Sequence, residues 1–392
     1  MAARGTVLYR RSPHLVGHWF SGQFVFRNYA TGITSAANPF VTRVLDFFGD
    51  WRSSEALLEE VGGGDRTSLT RLLRALVRKS LLQRSDRKPT AAEESMDGWG
   101  EWNPAVGFLH SVSKDLDFEA GEAEAEPFLT WRLETVELPE PVKSSVGTGH
   151  VDLPPLRGNG VFPRVLLGRR TWRKFGVGSL ADSALGTLLG LTFGVQAWMD
   201  LGALGRAPLK TSPSGGARHP IEAYVLVRRV EGMPGGLYYY DPDGHRLERL
   251  SRGGASRLRR YLPGQPWYGE ASLLVLMTAV FSRTQWQYPH ARSYRAVLLE
   301  AGHFCQTFCL VATWLGLAPF CTAALADSLI EKDLGIDGVR ESVLYAAGVG
   351  PRPKALSWAP SVDDSPPPRL FPAKRTGNRG GMNAKTQRRE GI

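Results

Sequence analysis

Hydrophobic residues recur along the chain with two different periods, and these periods predict a mixture of helices and strands. Apolar side chains return every three or four positions over residues 69–77 and again over 179–193, which is the spacing of one helical face. Continuous apolar runs at 272–281 and 343–349 are typical of buried strands. Because helices and strands do not follow a strict β-α-β order, we expect an α+β sandwich with helices packed on a mixed sheet.

The first ninety residues predict a small helical module. Asn38 starts one helical segment, and Ser53 or Ser54 caps a second one. Glycines at 62–64 separate this second helix from a third at 69–77, after which two leucines begin a short strand. Five cations lie on or near the third helix: Arg66, Arg71, Arg74, Arg78 and Lys79. No set of base-reading side chains accompanies them, so a solvated face or a peptide-binding surface is favoured over a DNA-binding one.

Composition and charge are those of an ordinary globular protein with a basic tail. With 392 residues, of which 42% are hydrophobic and 22% charged, the chain is long enough for two or three domains. Residues 373–392 carry six Lys or Arg against one Glu, which gives half of the formal net charge of +10. We expect a Pro-rich and then basic tail over 357–392 to be disordered, and the remaining charge does not indicate nucleic-acid binding.

Three cysteines, Cys305, Cys309 and Cys321, stand in one apolar region. Their odd number argues against a secreted disulfide framework and for a reducing, cytoplasmic setting. Cys305 and Cys309 are one helical turn apart with His303 nearby, which would allow a metal site, but no fourth ligand has suitable spacing, so we expect packed thiols. No continuous apolar run follows the arginines near the N-terminus, so no signal peptide is expected.

Residues 301–320 contain no Lys, Arg, Asp or Glu and are long enough to span a bilayer. The segment also holds His303, Gln306 and Pro319, and the sequence has no second segment of this kind. A helix buried in a domain or subunit core therefore explains the segment better than a membrane span.

A flexible loop, TSPSGGARHP, at residues 211–220 is the strongest candidate for binding chemistry, because it stands directly before an apolar strand. Gly215 and Gly216 let the backbone turn and approach a flat ligand closely, and prolines restrict both ends. Upstream, RRTWRKF at residues 169–175 holds four cations and one hydroxyl close together. Such a group can neutralise a phosphate through charge-assisted hydrogen bonds.

Together the two segments resemble the flavin-binding motifs of the nitroreductase-like FMN enzymes, and more narrowly those of the SagB-type dehydrogenases, which act on peptides bearing azoline rings. RRTWRKF resembles the family's Arg-Arg-Ser-x-Arg-x-Phe, with Thr171 in place of serine, and SPSGGARHPIEAYV resembles its Pro-Ser-x-Gly-Ala-Arg-x-Pro segment. A third match, YRAVLLEAGHFCQ at 294–306, resembles the family's helix start. Three motifs in the expected order, between residues 162 and 352, are more specific than any one of them.

The resemblance implies an FMN-binding sandwich that dimerises through the apolar helix, and it implies a phosphate site. Arg169, Thr171 and Arg173 are the candidates for the phosphate and ribityl contacts, with Arg170 as a further cation. Arg352 follows the last predicted strand and would complete this site.

The same resemblance implies a ring site at the flexible loop. Pro213, Ser214, Gly215 and Gly216 would approach the isoalloxazine ring. Arg218 would either reach the phosphate or hold the loop. These contacts are what a protein supplies to a flavin, whose ring carries out the electron transfer.

The substrate side is expected in a polar and aromatic loop, RTQWQYPHARSYR, at residues 283–295. In azoline-oxidising relatives this region presents an adjacent Lys-Tyr pair, and here Gln287 and Tyr288 stand at the matching positions. A phenol with a pKa of about 10 is a poor base near neutrality unless a cation stabilises the phenolate, and glutamine carries no charge. Tyr288 is therefore the acid/base candidate, with a nearby arginine or histidine as a substitute cation and an aromatic lid as the alternative role.

These observations divide the chain into a winged-helix-like domain over 1–90, a linker and connecting segment over 91–158, an FMN domain over 159–356, and the tail. The predicted function is FMN-dependent dehydrogenation of azolines in a ribosomal peptide. The expected partners are the modified peptide, a second copy of the chain and a cyclodehydratase, without nucleic acid or membrane. Two alternatives stay open: an NAD(P)H-dependent reductase of small acceptors, and a non-catalytic protein that binds a leader peptide or DNA.

Overall fold

The computed structural model describes residues 6–116, 122–141, 159–253 and 255–353. In these residues the α-helices, in chain order, are α1 Pro39–Phe47, α2 Ser54–Glu60, α3 Arg66–Arg78, α4 Ala91–Asp97, α5 Ala105–Val112, α6 Glu122–Thr135, α7 Val161–Gly168, α8 Asp182–Phe193, α9 Ala255–Tyr261, α10 Phe281–Gln287, α11 Ser293–Trp314 and α12 Asp327–Leu334. The predicted tail over 357–392 lies outside the described residues.

The strands of the described residues are β1 Leu8–Arg11, β2 Leu15–Phe20, β3 Gln23–Asn28, β4 Thr34–Ala36, β5 Arg52–Ser53, β6 Leu82–Arg84, β7 Ala197–Asp200, β8 Arg206–Leu209, β9 Ile221–Val227, β10 Gly236–Asp241, β11 Arg246–Arg252, β12 Leu273–Val280, β13 Leu317–Thr322 and β14 Glu341–Pro351. The apolar runs predicted at 272–281 and 343–349 correspond to β12 and β14, and the periodic segments at 69–77 and 179–193 correspond to α3 and α8.

A six-stranded sheet with the order β11-β10-β9-β12-β14-β13 forms the centre of the C-terminal half. Every neighbouring pair in this sheet is antiparallel, so the expectation of a mixed sheet is wrong. The chain passes from β12 to β13 through α10 and α11, and these two strands do run in the same direction. However, β14 lies between them and is antiparallel to both. β12 and β13 are therefore not neighbours, and the parallel pair that their order in the chain suggests does not form.

The two faces of the sheet support separate cores, because successive side chains of a strand point to opposite sides. Val225 of β9 and Val275 of β12 belong to a first core, which α8 and α11 complete. The intervening Leu226 and Leu274 belong to a second core, which α9 and α12 complete. Helices therefore cover both faces, and the burial of both faces explains why these strands are continuous apolar runs.

α11 is the longest described helix, at 22 residues, and it lies across the first core. Its buried residues recur every three or four positions, as in Val297, Ala301, Phe304 and Phe308. The helix is long and apolar enough to cross a membrane. In this fold its apolar stripe faces the sheet and α8, where Phe304 stacks on Phe193 with ring centroids 5.4 Å apart. α11 is thus a core helix of the sandwich.

The segment 91–112, which we expected to be part of a linker, packs against the sandwich instead. Trp99 and Trp102 are buried in the first core. The indole N–H of Trp99 donates to the carbonyl oxygen of Val339 at 3.1 Å, and that of Trp102 donates to the hydroxyl of Ser293 at 3.1 Å. Two large aromatic side chains therefore anchor this segment, whose polar residues near its start had suggested a linker.

The N-terminal helices begin where capping side chains predict. Asn38 accepts a hydrogen bond from the backbone N–H of Val41, and Ser53 accepts one from Ala56. α1, α2 and α3 share a third core with β1, which pairs with β5 and β6. β2, β3 and β4 form a separate antiparallel sheet.

Candidate functional site

The loop at residues 211–220, here called the glycine loop, connects β8 to β9 and is held in one shape by its own contacts. Gly216, Ala217 and His219 have φ angles of 62°, 53° and 43°, in the left-handed region that favours glycine. The hydroxyl of Ser214 accepts a hydrogen bond of 2.8 Å from the backbone N–H of His219. This bond closes the loop on itself, so the two non-glycine residues are kept in a conformation that side chains otherwise avoid.

One side of the glycine loop contacts Gln287 and Tyr288. A Cβ atom added at Gly216 would lie 2.5 Å from Oε1 of Gln287 and 2.8 Å from the hydroxyl of Tyr288. The amide Nε2 of Gln287 donates to that hydroxyl at 3.1 Å, while its Oε1 is buried without a hydrogen-bond partner. The fold therefore brings the predicted ring loop and the predicted acid/base pair into direct contact.

The region of 283–295, predicted as a loop, is in part helical. α10 extends to Gln287, and the backbone N–H of Tyr288 donates to Thr284 at 2.9 Å, closing the last helical turn. Phe281 and Thr284 are the buried residues of this short helix, and its other residues are polar apart from the exposed Trp286. With so few apolar positions the helical period was not visible in the sequence.

Arg218 holds the glycine loop rather than projecting away from it. Its Nε donates to the carbonyl oxygen of Gly216 at 2.9 Å, and its guanidinium lies 5.4 Å from the ring centroid of Trp286. The sequence allowed Arg218 either to reach the phosphate or to hold the loop, and these contacts are those of a residue that holds the loop.

The other side of the glycine loop rests on α11. The hydroxyls of Ser212 and Thr307 share a hydrogen bond of 2.8 Å, and Nδ1 of His303 lies 3.4 Å from the carbonyl oxygen of Pro213. The loop is consequently clamped between the middle of α11 and the end of α10.

Three ionisable side chains, Lys210, His219 and Glu300, are gathered beneath the glycine loop. The hydroxyl of Ser214 and the backbone N–H of Gly215 act to lower the pKa of Glu300. Burial nevertheless raises the pKa of Glu300 to about 7. Burial lowers the pKa of His219 to about 4, and the cation of Lys210 acts in the same direction. Burial also lowers the pKa of Lys210 itself.

Glu300 and His219 each keep a buried polar atom without a partner among the described residues. Oε1 of Glu300 and Nδ1 of His219 are 3.7 Å apart and make no hydrogen bond. Buried polar atoms are nearly always paired, so such atoms mark a place where a ligand is missing or where strain is kept. Lys210 was not among the predicted site residues, because its burial comes from tertiary contacts and its sequence neighbours give no signal.

The residues 169–175, here called the basic segment, lie at the far end of α11. α7 ends at Gly168, and the basic segment continues without regular helix. The backbone N–H of Trp172 donates to the carbonyl oxygen of Pro319 at 2.9 Å. Arg352 packs on the Trp172 ring at 5.6 Å and donates to the carbonyl oxygen of Leu317 at 3.0 Å. The basic segment is thus fixed along the edge of the sheet.

The arginines of the basic segment are used in two ways. Nη1 of Arg170 donates to the carbonyl oxygens of Leu167 and Arg169, at 2.8 Å each. The guanidinium groups of Arg169 and Arg173 make no hydrogen bond or ion pair with a described residue. Thr171 lies between them and is half-buried. Arg169, Arg173 and the exposed Lys174 therefore remain to neutralise an anion, and Arg170 holds the backbone that presents them.

The predicted site residues consequently fall into two groups along α11. The first contains the glycine-loop residues with Gln287 and Tyr288, and the second contains the basic segment with Arg352. His303 contacts the first group and Thr313, whose carbonyl oxygen accepts from Arg352 at 3.3 Å, contacts the second. Ten residues of helix separate these contacts, a rise of about 15 Å.

Comparisons with known proteins identify relatives over the part of the chain that carries these groups. Residues 166–351 match the model of the nitroreductase family. A protein of Methanocaldococcus jannaschii named as a nitroreductase is 32% identical over 173 residues, which cover 44% of this chain and 83% of that protein. The trifolitoxin-processing protein TfxB of Rhizobium leguminosarum bv. trifolii is 33% identical over 153 residues. That match covers 37% of this chain and only 40% of the length of TfxB.

Among solved structures, a chain of the E. coli microcin synthetase McbBCD complex with truncated pro-MccB17 bound is similar to this chain. The identity is 23% and the TM-score 0.44. The match covers 68% of this chain and 98% of the other.

Proposed function

Because the chain belongs to the nitroreductase family, we propose that it is an FMN-dependent oxidoreductase of the SagB type, which dehydrogenates azoline rings of a ribosomal peptide to azoles. The observation that carries the proposal is the glycine loop, which lies between α11 and the Gln287–Tyr288 pair with unpaired polar atoms on both sides. The match to a trifolitoxin-processing protein supports a peptide substrate.

The residues around the glycine loop fit the ring of FMN. Gly215 and Gly216 carry no side chain, so the backbone from Pro213 to Gly216 can approach a flat ring closely. The unpaired atoms of Gln287, His219 and Glu300 offer both donors and acceptors to the polar edge of such a ring.

The basic segment fits the phosphate of the same cofactor. Arg169 and Arg173 have no competing ion pair, and Thr171 adds a hydroxyl donor between them. Arg170 and Arg352 would support the site by holding the backbone of the segment and the ring of Trp172. Arg218 would support the ring side by holding the carbonyl of Gly216.

The proposed reaction removes two hydrogens from an azoline, one as a hydride and one as a proton. FMN, when bound, supplies the acceptor for the hydride. The hydroxyl oxygen of Tyr288 is the proposed proton acceptor, because it borders the loop that would hold the ring. The amide of Gln287 donates a hydrogen bond of 3.1 Å to that oxygen and so positions it beside the loop.

The uncharged Gln287 also favours a second candidate function, an NAD(P)H-dependent reductase of small acceptors. Such a reaction delivers a hydride and does not require a strong base beside the ring. Neutral Gln287 and Tyr288 would then line the acceptor site and exclude water.

The N-terminal module is proposed to be winged-helix-like and to hold the peptide. Its helices and strands follow in the order α1, β5, α2, α3 and β6. A groove of about 780 Å³ on this module is lined by six arginines and no acidic residue: Arg66, Arg71, Arg74, Arg78, Arg84 and Arg87. This charge suits an acidic stretch of the peptide.

A homodimer is proposed from the apolar surface along α7 and α11. Phe162 is 66% exposed and Leu299 is 65% exposed, and Leu166, Leu298 and Trp314 are exposed on the same two helices. A second copy would cover this surface. A cyclodehydratase that forms the azoline, and a cytoplasmic location, complete the proposal.

The deciding experiment uses the full chain purified with its bound small molecules. We expect flavin absorbance, release of FMN on denaturation, and loss of two hydrogens per ring when a thiazoline peptide is supplied, as measured by mass spectrometry. A colourless protein that does not take up FMN on reconstitution would contradict the flavin proposal. Rapid bleaching by NADPH with no change in the peptide mass would select the small-acceptor reductase instead.

A further inference from the structure

The fold brings the three cysteines of the chain into one cluster. Cys305 and Cys309 stand one turn apart on α11, and Cys321 comes from the neighbouring strand β13. Their three sulfur atoms lie within 4.8 Å of one another, and none forms a disulfide. The sequence placed the three cysteines in one apolar region without a fourth ligand, and the packing of β13 against α11 brings the third thiol beside the other two.

One polar group outside the cysteine cluster contacts it. The hydroxyl of Tyr345 donates to Sγ of Cys321 at 3.4 Å. Cysteine binds metals as the thiolate, and binding of the ion itself releases the thiol protons.

The cysteine cluster is also rigid and has one accessible side. Cys305 and Cys309 are buried in the first core, whereas Cys321 is only partly buried. Packing of the fold positions all three sulfur donors, two on a helix and one on a strand of the central sheet, without a bound ion. An ion that enters beside Cys321 would therefore meet a preformed set of ligands.

We propose that Cys305, Cys309 and Cys321 bind one soft metal ion, and that the ion is Cu(I). Sulfur donors select soft metals such as Cu(I) and zinc. Structural zinc sites are almost always four-coordinate, and no fourth His, Cys, Asp or Glu of the described residues joins this cluster. Three thiolates without a fourth ligand suit the low coordination number of Cu(I). This site is separate from the proposed flavin ring site and does not depend on the proposed reaction.

The test is an anaerobic competition between the reduced, full-length protein and a chromophoric Cu(I) chelator. We expect one equivalent of Cu(I) to pass to the protein, with thiolate-to-copper absorbance in the ultraviolet. Cys305→Ser, Cys309→Ser and Cys321→Ser should each weaken Cu(I) binding at least a hundredfold. Gln306→Ser, an exposed position on the same helix, is the matched control and should bind Cu(I) as the unaltered protein does.

Retention of all copper by the chelator, or unchanged uptake by all three serine variants, would overturn the proposal. Uptake of Zn(II) under conditions in which Cu(I) stays with the chelator would overturn the choice of metal. X-ray absorption of the copper-loaded, unaltered protein needs no variant to fold: three sulfur ligands support the site, and two or fewer refute it. FMN content measured on the same samples separates this result from the flavin proposal.

Discussion

The glycine loop and the basic segment both rest on α11, yet they use their polar groups differently. Beneath the glycine loop, Glu300 and His219 are buried with atoms left unpaired. Among the cations at the basic segment, Arg170 and Arg352 donate to backbone carbonyls, whereas Arg169, Arg173 and Lys174 make no hydrogen bond or ion pair with a described residue. The two motifs therefore differ in the groups that they leave for a ligand. The glycine loop leaves buried polar atoms, and the basic segment leaves cationic side chains. The glycine-loop side should govern chemistry, and the basic segment should govern affinity.

The largest effect is expected at Tyr288. Tyr288→Phe removes the proposed proton acceptor but keeps the ring, so turnover of a thiazoline peptide should fall by about 10²–10⁴-fold. FMN affinity, measured by fluorescence titration, should stay within about twofold because the phenol makes no proposed phosphate contact. If turnover survives in Tyr288→Phe, the side chain acts as an aromatic lid and the proton leaves by another route.

The next effect concerns pH. The folded pKa of Glu300, about 7, lies above its ordinary value of 4.5, so the folded protein binds this proton more tightly than the unfolded chain. The stability due to protonated Glu300 is complete below pH 4.5 and is lost as pH rises through 7. Glutamine imitates the neutral acid at every pH, so the Glu300→Gln variant should not lose this stability. The difference in free energy of unfolding, variant minus unaltered protein, should therefore rise by about 2–3 kcal/mol between pH 4.5 and 7.

Chemical denaturation of both proteins at a series of pH values measures this difference. The pKa of His110 is lowered to about 4, so this histidine adds stability as pH rises in both proteins, and its contribution cancels. A difference that stays flat between pH 4.5 and 7 would mean that Glu300 is already ionised in the folded protein.

Arg169 and Arg170 form a matched pair within the basic segment. Losing a charge-assisted hydrogen bond costs about 1.5–3 kcal/mol, so Arg169→Ala should weaken FMN binding about ten- to a hundredfold. Arg170→Ala should instead lower the melting temperature, because its donors serve two backbone carbonyls. FMN titration and thermal unfolding of both variants would contradict the assignment if their effects were exchanged.

The smallest effect is expected at Gly216. Gly216→Ala and Gly202→Ala introduce the same strain, since both glycines have a φ angle of 62°. Only at Gly216 would the new Cβ meet Gln287 and Tyr288, while Gly202 faces open space. Overpacking of this kind costs about 1–3 kcal/mol, so FMN affinity should fall about tenfold in Gly216→Ala alone. Equal FMN affinity in the two variants would separate the glycine loop from the ring site.

Elements with strong local signals were predictable from the sequence, and features made by distant contacts were not. Asn38 and Ser53 cap helices through bonds to residues three positions away, so local sequence determines where those helices begin. The direction of strand pairing around β14, by contrast, depends on a strand that arrives after two helices. The mixed sheet was a wrong prediction for this reason.

The same distinction applies to the candidate site. The glycine loop, the basic segment and the Gln287–Tyr288 pair were each visible as local patterns. The burial of Lys210 and the unpaired atoms of Glu300 and His219 arise only when β8, β9 and α11 pack together. A third thiol beside Cys305 and Cys309 likewise required the strand that carries Cys321.

α11 also bears on how this protein can be changed by selection or by design. Five residues of this one helix contact different parts of the fold: Glu300, His303, Cys305, Cys309 and Thr313. A substitution that rotates or shifts the helix disturbs all of these contacts at once, so α11 tolerates little variation. The short helix α10 ends at Gln287, directly before Tyr288, and most of its side chains point away from the core, so new substrate preferences are best sought there.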